Sequence, residues 1–111
     1  MLTVPIIFFG LAAIGGLTMV AMKSSERGIP LWLAIVHGIF AVIGLIFLII
    51  IVAGGMTDST RNVALILFII TAIGGITLFS MGMMKKNLPN WFIGVHGVLA
   101  VVSYITYLVS L

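Results

Sequence analysis

Pro30-Leu-Trp-Leu-Ala-Ile-Val-His37-Gly38 returns, 59 residues later, as Pro89-Asn-Trp-Phe-Ile-Gly-Val-His96-Gly97. Upstream, Ala13-Ile-Gly-Gly-Leu-Thr18 returns at the same offset as Ala72-Ile-Gly-Gly-Ile-Thr77. Between residues 13–42 and 72–101, 13 of 30 aligned pairs are identical, and the offset never slips. The chain therefore reads as one membrane domain, residues 1–111, built from a duplicated two-helix hairpin, with repeats at 1–53 and 60–111. Each proline stands at the mouth of an apolar run, where a missing N–H costs nothing because the first turn of a helix has no partner for it.

Composition fixes the solvent. Of 111 residues, 63% are hydrophobic and 6% charged. A soluble domain of this size cannot hide so much apolar surface. A helix needs roughly 20 apolar residues to span a bilayer. Four such segments fit, at 2–22, 31–53, 62–84 and 91–111, with polar loops at 23–30, 54–61 and 85–90. The expected fold is an all-α polytopic membrane protein, a four-transmembrane-helix bundle with short loops between antiparallel neighbours. The first segment lacks a basic leader and a small-residue cleavage site, so it reads as a retained helix. No cysteine is present. That excludes disulfides, thiolate metal sites and covalent c-type haem attachment.

The charges speak to topology and not to nucleic-acid binding. Lys23, Arg27, Lys85 and Lys86 lie in the first and third loops, which share one side; the second loop holds Arg61 alone. The positive-inside bias then makes loops 23–30 and 85–90 cytoplasmic and places both termini outside, as in a bacterial inner-membrane protein. Trp32 and Trp91 fall at the headgroup boundary that indoles prefer. Glu26 and Asp58, the only acids, are both in loops.

Depth is where the repeat becomes chemical. His37 lies six residues into the second span, roughly 9 Å below the basic surface at about 1.5 Å per residue, and His96 lies equally deep in the fourth. Counting back from the loops, Gly15 and Gly16 in the first span and Gly74 and Gly75 in the third fall roughly 10 Å deep. Two histidines and two glycine pairs thus share one layer. Ala34, His37, Ala41 and Gly44 form one helical stripe, with Gly38 beside it; His96, Ala100, Ser103 and Tyr107 form another, with Gly97 beside it. An ionisable side chain in such a setting is by default a functional candidate.

Two readings stay open. The histidines can be polar glue, worth about 0.6–2 kcal/mol per interhelical bond, with the glycines as close-packing contacts. Or the imidazoles of His37 and His96 ligate one metal-centred tetrapyrrole, haem b ahead of a chlorophyll-type pigment. Gly15, Gly16, Gly74 and Gly75, with Gly38 and Gly97, would then shape the ring pocket, and Lys23, Arg27, Lys85 and Lys86 would meet the propionates. Thr18 and Thr77 are expected to bond the carbonyl a turn back. Tyr104 and Tyr107 could serve a quinone head group or anchor the outer boundary.

On His37, His96, Gly15-Gly16 and Gly74-Gly75 the chain resembles membrane b-type cytochromes. There, histidines on bundle helices hold haem and glycines flank the ring. The resemblance implies electron transfer, with a quinone as one possible partner. Carriers that wire both faces have a histidine pair near each; this chain has one pair, so a homo-oligomer or a larger membrane complex is expected. The size and helix count are also similar to the small multidrug-resistance transporters, but the glutamate those carry in the first span has no counterpart here. The competing class is a non-catalytic accessory subunit.

Overall fold

The computed structural model describes residues 1–23, 25, 28–56 and 58–111. Among them are four helices: α1 (Thr3–Lys23), α2 (Leu31–Ala53), α3 (Ser59–Met83) and α4 (Asn90–Val109). Each is long and apolar enough to cross a membrane. They form a bundle of 46 × 22 × 21 Å. Each helix packs on its neighbours in sequence, and α4 closes back on α1; the diagonal pairs α1/α3 and α2/α4 do not meet backbone to backbone. Packing is dense within the α1–α2 and α3–α4 hairpins, sparse between α2 and α3, and sparsest along α1/α4.

The spans lie close to their sequence-predicted limits, with one informative exception. Helix α3 starts at Ser59, three residues earlier than expected, because Asp58 caps it: its carboxylate accepts from the Thr60 N–H at 2.9 Å. Such a cap satisfies one of the orphan donors of the first turn. The correction concerns Arg61, expected as a loop cation on the outer side. It sits in the first turn of α3 and is only 7% exposed. Its Nη2 donates to the Ser110 carbonyl at 2.8 Å, and its Nη1 donates to the Met56 carbonyl. Arg61 therefore caps the carbonyl end of α4 from within the bundle. Of the four cations expected at the other end, Arg27 lies outside the described residues; Lys85 and Lys86 are exposed there.

The interior is packed most tightly in the half away from these lysines. Phe9 of α1 and Phe68 of α3 reach across the diagonal and stack at 3.8 Å, their planes within 7°. Leu48, Ala64 and Tyr107 close the cluster, each with no exposed surface. Gly44 of α2 leaves a notch for the Phe9 ring. The tyrosines point inward and tie α4 to α1: Tyr104 donates to the Ile6 carbonyl at 2.8 Å and Tyr107 to the Leu2 carbonyl at 2.6 Å. Neither serves as a boundary anchor. The outward faces carry large apolar residues such as Ile14, Leu17, Ile73 and Ile76, each at least 60% exposed. So much bare hydrocarbon suits a lipid solvent and no other. Trp32 and Trp91 are exposed at the lysine end.

Candidate functional site

Imidazoles on opposite helices meet inside the lysine-end half of the bundle. His37 projects from α2 and His96 from α4, and their ring centroids are 6.4 Å apart with planes at 77°. The depth count thus places both in one layer, because straight helices convert residue number into height. The bundle brings the two diagonal helices together through these side chains, since their backbones stay apart.

The glycines explain how the rings fit. A Cβ on Gly16 would lie 3.2 Å from Cε1 of His37, and one on Gly15 would lie 3.5 Å from its Cβ. On the other hairpin, a Cβ on Gly75 would lie 3.0 Å from Cε1 of His96, and one on Gly74 would lie 3.7 Å from its Nδ1. Each glycine pair is therefore a backbone notch that receives the imidazole of its own hairpin. Gly38 and Gly97 meet nothing within 4 Å and border open space.

Hydrogen bonding sets the chemistry of the rings. Nδ1 of His37 lies 2.7 Å from the Ala12 carbonyl oxygen. A carbonyl only accepts, so Nδ1 carries a proton, and Nε2 is the nitrogen left to offer a lone pair. This is the arrangement a metal-ligating histidine adopts, with the outer nitrogen orienting the inner one. Nδ1 of His96 is buried without a hydrogen-bond partner.

Among the described residues no third His, Cys, Asp or Glu joins the pair. A protein-only metal site uses three or four such ligands, whereas axial ligation of a tetrapyrrole uses two. Thr18 and Thr77 bond the carbonyls of Ile14 and Ile73 at 2.8 and 2.9 Å, so their hydroxyls are spent within their helices. Lys23 ends α1 and turns across the bundle, its Nζ donating to Oδ1 of Asn90 at 2.5 Å.

Sequence reasoning placed Ser103 on the His96 stripe but missed its polar neighbour Thr71, one to two turns deeper than the histidines. The hydroxyls of Thr71 and Ser103, both buried, lie 3.4 Å apart. Each also bonds a carbonyl of its own helix. The signal was available: these residues replace Ala12 and Gly44 at the repeat offset, so the two hairpins differ in polarity at that level.

The notches make a test. Gly75→Ala should push the His96 ring aside, because its Nδ1 has no hydrogen-bond partner to hold it. Gly97→Ala should leave it in place. Side-chain 15N shifts of His96 read the difference; equal shifts in both variants would contradict the notch.

The chain matches no known protein family, no curated protein and no solved structure.

Proposed function

We propose that the chain is a small b-type, bis-histidine haem-binding subunit that carries electrons in a membrane. The observation that supports it best is the spacing of the two imidazoles. Two imidazoles from diagonal helices lie close together inside the bundle, and a group ligated by both would be held between them. The ring centroids of His37 and His96 are 6.4 Å apart. The Ala12 carbonyl holds His37 in the tautomer that ligates.

In this reading His37 and His96 hold haem b, which supplies one-electron redox chemistry when bound. The chain does the rest. Ala12 orients a ligand ring, the apolar layer keeps water out, and that low dielectric tunes the potential. The glycine notches let each imidazole lie close to its own hairpin. Lys23, Lys85 and Lys86 would supply cations for carboxylates at that end. A chlorophyll-type pigment would use the same two ligands. Quinone is the natural redox partner in lipid. A single ligand pair near one face also suits a homo-oligomer or a larger complex.

The finer topology belongs to the same proposal. The fold descends from a duplicated hairpin, the lysine end faces the cytoplasm, and the membrane is the bacterial inner one. With Arg61 withdrawn into the bundle, its charge no longer opposes that orientation at the outer surface.

A second reading has its own support. The His37–Ala12 bond and the filled notches serve packing even with no cofactor. The chain would then be an accessory subunit of a larger membrane complex.

Visible spectra of protein purified from haem-replete cells separate the two. The haem reading expects a sharp reduced α-band and a Soret shift with dithionite, both lost in His37→Ala and in His96→Ala. A colourless parent whose variants are equally stable would leave the accessory subunit.

A further inference from the structure

The α1/α4 seam opens into an apolar groove of about 740 Å³ on the outside of the bundle. Leu17 and Val20 of α1 form one wall, and Val101 lies along the other. Gly94 and Gly97 also line it, and a Cβ added at either would meet no other part of the chain within 4 Å. Only the end of the groove is polar. There Lys23 and Asn90 line it, joined by their hydrogen bond. The groove lies on the outside of the bundle and shares Lys23 with the redox reading, but its own occupancy does not rest on that reading.

We infer that this groove is a binding site for an anionic phospholipid, with the phosphate at Lys23 and Asn90 and an acyl chain laid over Gly94 and Gly97. Three observations point to that occupant. The groove is apolar along its length and cationic at one end, which is the polarity of such a lipid. Lys23 ends a membrane-length helix, so its ammonium stands at headgroup level. Lys carries three donors, so the bond to Asn90 leaves two for phosphate oxygens. Basic pockets between spans are a known way to hold acidic headgroups.

Native mass spectrometry from mild detergent, with phosphatidylglycerol and phosphatidylcholine of the same chains, tests the inference. The parent should retain phosphatidylglycerol in preference. Lys23→Gln should weaken that retention about fivefold, the worth of one near-surface cation. Lys85→Gln and Lys86→Gln, at the same end but off the groove, should change it less. Gly97→Leu, which fills the groove and faces open space in the fold, should lose both lipids while melting like the parent. Equal retention of the two lipids by the parent, or an unaltered Lys23→Gln, overturns the proposal. So does a lipid-free dimer that Gly97→Leu dissociates, which would make the groove a seam between two copies.

Discussion

Arg61→Ala is expected to be the most destabilising single change outside the histidine layer. The guanidinium donates to the carbonyls of Ser110 and Met56 from a site that is 7% exposed. Hydrogen bonds to a charged group contribute about 1.5–3 kcal/mol each, so losing two removes about 3 kcal/mol or more. Ser110 is buried, and a buried acceptor left without its donor is itself a penalty. The favourable term, relief from desolvating one charge, is partial because the guanidinium is already hydrogen-bonded. Unfolding of the purified protein in mixed micelles with increasing SDS measures the effect. Arg61→Lys should recover only part of the loss, since one ammonium cannot reproduce the planar fork that spans both carbonyls. A parent-like midpoint for Arg61→Ala would mean that the residue snorkels to water instead of capping α4.

Gly44→Ala should be the second large effect, and its sign runs against helix propensity. Alanine favours a helix over glycine by about 0.8–1 kcal/mol. A Cβ at position 44, however, would lie 3.0 Å from Cδ1 and Cε1 of Phe9 and 3.1 Å from its Cζ. Phe9 is itself buried and stacked on Phe68 at 3.8 Å, which limits its room to retreat. Overpacking of this kind costs about 1–3 kcal/mol, so the clash wins over the propensity gain. Gly38→Ala, on the same helix with nothing within 4 Å, should show the propensity gain alone. The same SDS titration should move the two midpoints in opposite directions; movement in one direction for both would rule out the Phe9 notch.

The spans and the histidine layer were legible because both follow from counting. Hydropathy marks the lipid-facing length, and a rigid rise per residue turns position into depth, so His37 and His96 had to lie level. What counting cannot supply is rotamer and direction. The glycine pairs looked like room for a foreign ring, yet each receives the imidazole of its own hairpin; either outcome has the same sequence. Arg61 was misread because a charge beside Asp58, Ser59 and Thr60 looked like loop. The better signal was the capping residue, which announces that a helix is about to begin. The Phe9–Phe68 stack could have been found, since the two stand at the same repeat offset as the histidines. Tyr104 and Tyr107 could not, because their partners are backbone carbonyls nearly a chain length away.

Those long-range ties carry a consequence for biogenesis. The His37–Ala12 bond is made wholly within the first hairpin and is available as soon as α2 has followed α1 into the membrane. The bonds of Tyr104, Tyr107, Arg61 and Lys23 each need a group on α4 or just after it. Synthesis delivers α4 last. The ties at both ends of the bundle can therefore form only once the last helix has arrived, whereas the Phe9–Phe68 stack needs only the first three.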